Sequence, residues 1–331
     1  MKDRFNREIE YMRLSITEVC NLSCIYCNPE GSCCKTGEEG RYFSPSEFGE
    51  ICAAACDCGI HSFKITGGEP LLRDDCEEIV RTVRSIEGVR GVTLTTNGRL
   101  LDEARLSGLV KAGLDGINFS LDSLNPETDS YISGLRGSER SLEALRLAAG
   151  IGTLRVKLNA VPIKGVNDSH EEIAALAGLA EKQNIDVRFI ELMPLGYGNK
   201  YTGVSGIEVL RLLKSKFPKM ARELSKRGNG PAKYFRIDGF KGRIGFISAI
   251  GDKFCAGCNR IRLTAGGELK PCLCYAGTEN IRSIFDEEDP VLRKVRLRQA
   301  IERAVASKPE GHCFEHRDRI SERNSMVNIG G

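Results

Sequence analysis

No stretch of this 331-residue chain reaches the ~20 consecutive apolar residues that a membrane-crossing helix needs, so no membrane partner is expected. Neither sign of charge is in excess: 48 Lys and Arg stand against 45 Asp and Glu, a formal net charge of +3. No Lys/Arg run marks a polyanion-binding face, which argues against nucleic acid and leaves room only for a local cation cluster around a small anion. The opening segment MKDRFNREIE is charged and lacks the apolar stretch of a secretory leader, so a cytoplasmic protein is expected. Tryptophan is missing altogether, and this excludes nothing. Cysteine, by contrast, is abundant, with fourteen in all. In a reducing compartment, clustered cysteines are metal ligands before they are disulfides. A chain of this length with 41% hydrophobic residues can also build its core without covalent staples.

The first two-thirds alternates short β-branched runs with amphipathic segments. Strands are expected over residues 11–17, 61–66, 91–96, 116–121, 155–161 and 186–192, and helices over 45–58, 75–85, 101–112, 138–149 and 170–183. Ser44 before Pro45, and Asp168 or Ser169 before Glu171, are candidate helix caps. This alternation predicts an α/β fold with a parallel sheet, as a partial barrel or a doubly wound sheet; periodicity does not separate the two. Nearly every strand ends in polar or glycine-rich residues (SITEVC, ITGGEP, TTNG, SLDS, ELMPLG), and ligands in α/β folds sit beyond the carboxyl ends of strands. After about Tyr197 the rhythm breaks into Gly/Lys/Pro-rich segments and short strands, then a second cysteine group, a charged helical stretch over about 289–307, and the tail SMVNIGG. The expected division is a barrel over 1–197 and a smaller α+β region over 198–331.

Cys20, Cys24 and Cys27 follow the first strand at C-x₃-C-x₂-C spacing, with Tyr26 before the last. Three thiolates in eight residues can hold three irons of a cubane cluster and leave the fourth open. The alternative is a zinc site completed by Cys33 or Cys34. With GGEP (67–70) after the second strand, the pattern resembles the radical S-adenosylmethionine (SAM) superfamily, over residues 11–193. That resemblance implies a partial (β/α)₆ barrel of the TIM type and a [4Fe–4S] cluster whose open iron chelates the amino and carboxylate groups of SAM. It also implies SAM contacts from Tyr26, Gly68, Ser120 and Met193. Each of these alone is more commonly turn or packing; their recurrence at successive strand ends is what points to a site.

The second group places Cys255, Cys258 and Cys272 at C-x₂-C-x₁₃-C, with Cys274 two residues on. With Cys274 the site is a closed structural one; without it, a second three-cysteine cluster. Spacing leaves both open. Arg260 and Arg262 lie two apart, on one face of an extended strand, where guanidinium forks suit phosphate oxygens and base edges.

The combination of YMRLSIT, KITGGEPLLR, TTNG, RFIELM, C-x₂-C-NRIRLT-x₇-C and SMVNIGG resembles the GTP 3′,8-cyclase family. The resemblance implies two [4Fe–4S] clusters, the second held by Cys255, Cys258 and Cys272 and meeting GTP through the purine. It implies GTP contacts from Arg13, Lys64, Thr95, Lys157, Arg188 and the segment Arg260, Ile261, Arg262. Gly330 and Gly331 are implied to be needed for activity, with Arg323 carrying charge to the site. In the family an adenosyl radical takes hydrogen from ribose C3′, the carbon radical adds to guanine C8, and reduction yields the first intermediate toward the molybdenum cofactor. A low-potential electron donor and product transfer to cyclic pyranopterin monophosphate synthase are implied, and a homodimer is compatible. Lys64 stands where the family commonly has Arg, and Asn28 where it usually has Met. Cys52, Cys56 and Cys58 lie in a helical pattern and read as packing. Cys33, Cys34, Cys76, Cys274 and Cys313 have no assigned role. Two rival readings are a peptide- or cofactor-modifying radical SAM enzyme with an auxiliary cluster, and a zinc-stabilised binding protein.

Overall fold

The structure, a computed structural model, describes residues 1–31, 42–225 and 227–330. The chain runs β1 (Tyr11–Ser15), α1 (Pro45–Asp57), β2 (Ser62–Thr66), α2 (Cys76–Ser85), β3 (Gly91–Thr96), α3 (Glu103–Lys111) and β4 (Gly116–Ser120). It continues through α4 (Pro126–Ser133), α5 (Ser138–Gly150), β5 (Arg155–Ala160), α6 (His170–Lys182), β6 (Ile185–Ile190) and α7 (Gly206–Lys216). The remainder adds β7 (Ala221–Arg222), β8 (Lys233–Arg236), β9 (Ile244–Ile247), β10 (Arg260–Leu263), β11 (Glu268–Lys270), β12 (Glu279–Asn280) and α8 (Pro290–Ala306).

All twelve strands form one sheet, ordered β12-β11-β10-β1-β2-β3-β4-β5-β6-β9-β8-β7. The first six lie in chain order and parallel. A doubly wound sheet reverses direction at a switch point; this one does not, so right-handed crossovers place every helix on one face and the sheet curls as a partial barrel. Among the described residues the C-terminal region adds no separate sheet. Its β9 joins β6 and its β10 joins β1, both parallel, and antiparallel hairpins finish each edge. The expected break at residue 197 is therefore not a break in the sheet.

Strand alternation sorts the two faces. Met12, Leu14, Phe63, Ile65, Val92, Leu94, Ile117, Phe119, Val156, Leu158, Val187 and Phe189 are buried toward the helices. The opposite face carries Arg13, Lys64, Thr93, Thr95, Asn118, Lys157 and Arg188, in register from β1 to β6. A closed (β/α)₈ barrel fills its interior with branched apolar residues. This interior is polar, so it is built to hold a ligand.

Local signals explain most boundaries. Ser44 and Glu47 form a reciprocal capping box at α1, with Pro45 at the first helical position. Ser169 caps α6, while Asp168 accepts from the Gly165 N–H instead. Helices α4 and α7 escape the sequence rhythm, and α7 lies where an irregular segment is expected. Both have sound caps: Asn125 with Pro126, and a Ser205–Glu208 box. The glycines and polar residues beside them mask the helical period. Cys52, Cys58 and Cys76 are buried in the core and Cys56 packs against it, as packing residues.

The C-terminal segment is clamped by an ion pair between Lys270 and Glu322, whose side chains are 0% and 1% exposed. Lys270 Nζ also donates to the Tyr275 carbonyl at 2.7 Å. Glu322→Ala leaves that ammonium buried beside one carbonyl, and a loss of about 3–5 kcal/mol is expected in denaturant titrations; a Lys270→Met/Glu322→Leu double replacement is expected to lose far less.

Candidate functional site

The first cysteine loop is pinned from two sides. Ser23 and Ile25 N–H groups donate to Ser133 and Ile132 carbonyls at the end of α4, each at 2.9 Å. From the other side Gly68 N–H donates to Thr17 O and Glu69 N–H to Val19 O, both at 2.8 Å. This approach requires glycine: a Cβ at Gly68 would lie 2.3 Å from the Val19 carbonyl oxygen. Gly68→Ala must push the loop away, so loss of the first site's iron and of 5′-deoxyadenosine formation is expected, with the second site's iron retained. Iron analysis and product chromatography check this. Glu69 accepts from Thr96 Oγ1 at 2.7 Å and Asn97 N–H at 2.8 Å, tying GGEP to TTNG.

Cys27 and Asn28 N–H groups both donate to Cys24 O, folding the three thiols together. Burial, then Cys27 and Asp122, holds the Cys24 thiol well above its usual range; burial, then Cys20 and Asp122, pushes Cys27 up to about 12. A cationic centre among them offsets that cost. All the described cysteines are free. Among the described residues no group of three His, Cys, Asp or Glu side chains is arranged to hold a metal ion. Three thiols on one short loop suit a cluster that takes one thiolate per iron. Cys33 and Cys34 lie outside the described residues.

Tyr26 donates its hydroxyl to Asp122 Oδ2 at 2.7 Å, and Val161 N–H donates to Asp122 Oδ1 at 2.8 Å. Burial nevertheless pushes Asp122 up to about 6. Sequence reasoning missed Asp122, although SLDS contains it. Ser120 is exposed at the end of β4, and Met193 packs against a small apolar cluster with Leu195 and Ile329.

The second group lies at the amino end of β10, opposite the first loop's end of the sheet. Burial opposes the Cys255 and Cys258 thiolates, but His312 beside Cys255, and Lys308 with Arg260 beside Cys258, outweigh it and lower both. Burial raises Cys272. Lys308 Nζ bonds the Arg260 and Pro271 carbonyls, at 2.8 and 2.6 Å, and braces both ends of the loop. Neither His312 nor Lys308 carries a sequence signal, being isolated and far downstream. Cys274 turns to Cys313, sulfur to sulfur at 3.4 Å, inside the small apolar cluster.

Between the two groups lies the cationic wall. Burial, then Arg188, Arg13, Lys157 and Arg260, drives the Lys64 ammonium well below its usual range. Burial and then Arg188 lower Lys157 to about 8. Arg188 Nη2 donates to Asn118 Oδ1 at 2.8 Å, while the Nε atoms of Arg188 and Arg260 are buried without a partner among the described residues. These cations cost stability where they stand, and donors left unpaired in a polar cavity suit a polyanion. Thr95 faces the same interior. Ile261 does not: it alternates to the other face and is fully buried in the core, so only its backbone can serve the site.

The tail enters this cavity. The Val327 N–H bonds the Cys27 sulfur. Arg262 Nη1 donates to the Gly330 carbonyl at 2.9 Å, and Gly330 has a φ of +72°. Arg323 does not follow the tail inward. Its side chain is exposed while neighbouring Glu322 is held by Lys270, so it brings no charge to the wall. Gly331 lies outside the described residues.

Residues 14–177 match the radical SAM superfamily, and residues 185–314 match the Molybdenum Cofactor Synthesis C family. The GTP 3′,8-cyclase of Desulforamulus reducens is 40% identical over the full length of both chains. Those of Petrotoga mobilis and Clostridium perfringens are 37% and 36% identical, again over all of both chains. The structure of Streptococcus suis SuiB bound to S-adenosylmethionine superposes with a TM-score of 0.65 at 18% identity, over 97% of this chain and 78% of that one. With full-length identity at this level joined to the barrel and its two three-cysteine groups, the chain belongs to the GTP 3′,8-cyclase family of the radical SAM superfamily.

Proposed function

We infer that this protein converts GTP to (8S)-3′,8-cyclo-7,8-dihydroguanosine 5′-triphosphate, the first step of molybdenum cofactor biosynthesis. The observation that carries the reading is the convergence of Arg13, Lys64, Lys157, Arg188, Arg260 and Arg262 on one interior wall between two three-thiol groups. A triphosphate carries about four negative charges, and several cations from separate strands are what holds it. Cys20, Cys24 and Cys27 would hold one [4Fe–4S] cluster with SAM, beside Tyr26, Gly68, Ser120 and Met193; Cys255, Cys258 and Cys272 would hold the other. Bound there, these groups supply the radical chemistry. The protein's own part is placement. Arg260 and Arg262 on β10 orient the nucleotide, Lys64, Lys157 and Arg188 hold its phosphates, and the tail closes the wall beside Arg262. Electrons come from a low-potential donor, the product passes to cyclic pyranopterin monophosphate synthase, and the reaction belongs to the cytoplasm.

Protein reconstituted anaerobically and given SAM, dithionite and GTP tests this. Production of 5′-deoxyadenosine and the cyclised nucleotide is expected. Zinc without iron, or 5′-deoxyadenosine only with another substrate, overturns the reading.

The pH dependence has a defined sign. Lys157 is protonated below about 8 and loses its charge above it, so the KM for GTP is expected to rise above about pH 8. Lys157→Met is expected to raise KM at pH 7 and flatten that rise. In the nucleotide-free protein, Lys157 contributes stability that grows between about 8 and 10.5, where the unfolded chain binds the extra proton.

A further inference from the structure

At the amino ends of the strands, Arg155 and Arg227 join Lys157 and are two cations that the family motifs do not include. Residues 227–230, in the connection between β7 and β8, fold back across this mouth of the barrel. Asn229 Nδ2 donates to Ser62 Oγ at 2.8 Å, and Asn259 Nδ2 donates to the Asn229 carbonyl at 3.3 Å. Arg227 reaches Asp186 through Nη2 at 3.2 Å and Nε at 3.4 Å. Gly228 has a φ of +76°, and a Cβ there would come within 3.2 Å of Lys157 Nζ. Glycine therefore lets the loop lie directly over that ammonium.

Under the loop is a cavity of about 200 Å³ lined by Arg155, Lys157, Asp186 and Arg227. Its wall at Arg155, Lys157 and Gly228 also bounds the central cavity, which extends past Lys64 and Arg188 to Tyr11. The Arg260 guanidinium stands 6.0 Å from the Tyr11 ring, on the side of the second cysteine group. The central cavity thus has one end near that group and the other opening into the loop chamber. The chamber's three cations face one carboxylate. Asp186 is already engaged by Arg227 and by the Arg243 N–H at 3.2 Å, so the balance favours an anion.

We propose that this chamber seats the terminal phosphate of the nucleoside triphosphate, with Arg227 and Arg155 as positioning residues that distinguish triphosphate from diphosphate. The proposal rests on the GTP reading above: with the purine toward the second cysteine group, the phosphates run along Lys64 and Arg188 to Lys157 and end beneath the loop.

Anaerobic equilibrium titration of the reconstituted protein with GTP, GDP and GMP tests it. Arg227→Ala is expected to weaken GTP binding about tenfold while changing GDP and GMP less than about twofold, bringing GTP toward GDP. Arg227→Lys keeps the charge but not the fork and is expected to fall between. Because Arg227→Ala also unpairs Asp186, Arg155→Ala, at an exposed position, is measured alongside and is expected to show the same nucleotide ordering with a smaller effect. An equal loss on all three nucleotides, or none on any, overturns the proposal. If the wild-type protein binds no guanine nucleotide, the GTP reading fails and the proposal with it, an outcome distinct from the other two.

Discussion

Cys272→Ala is expected to leave protein with one cluster and no cyclised product, and Cys274→Ala to leave both clusters and turnover in place. Iron should fall from about eight to about four atoms per chain in the first variant and stay near eight in the second. The spacing of the two cysteines allows either as the third ligand. Their surroundings differ. Cys272 shares its environment with Cys255 and Cys258; burial, then those two neighbours, raises its thiol, and Lys308 stands by to favour the thiolate. Cys274 is fully buried among Leu195, Ala249 and Phe314, and its sulfur turns to Cys313. To ligate the cluster it would have to leave that pocket and break the contact. Iron lost from Cys274→Ala and kept in Cys272→Ala would reverse the assignment. Cys313→Ser is expected to behave like Cys274→Ala, since it removes only the other half of the pair.

Strand placement was legible because the sheet obeys one rule throughout: apolar residues toward the helices, polar residues inward. The expected ends overran by one or two residues at positions 16–17, 121, 161 and 191–192. There the chain stays extended, and Ile16, Leu121 and Glu191 still donate their N–H groups to Thr66, Asn159 and Ile247 of the neighbouring strands before the chain turns into the loops. The same alternation corrects the motif reading at Ile261. A run contiguous in sequence, Arg260 to Arg262, is not contiguous in surface once it becomes a strand. The two cysteine groups were legible as groups from spacing, because the members of each lie close in sequence. Asp122, His312 and Lys308 were not, because each acts on a cysteine or tyrosine far away in the chain and nothing local marks it. Arg323 failed for a related reason. A charge near the tail was read as a charge at the site, but the Lys270–Glu322 clamp fixes that stretch of chain with Arg323 in solvent.

Removal of Gly330 and Gly331 is expected to lower cyclisation about a hundredfold or more while both clusters stay loaded and 5′-deoxyadenosine still forms in part, uncoupled from product. A disordered terminus would make the truncation neutral. Here residues 327–330 are held in place. Ile329 is 1% exposed, Gly330 accepts from Arg262, and the Val327 N–H meets Cys27, so within four residues the tail touches both the first cysteine loop and the cationic wall. Gly330→Val gives the sharper test because it keeps the chain length. Its left-handed φ of +72° is strained for a β-branched residue, and a Cβ would sit 3.0 Å from Ser15 Cβ. The tail must then back out, releasing Arg262 from its carbonyl. The nucleotide would still find Lys64, Lys157 and Arg188, so its binding is expected to weaken less than its turnover. A loss in kcat larger than the rise in KM is the signature of a residue that positions the substrate, and equal GTP affinity with equal kcat would remove the tail from the site.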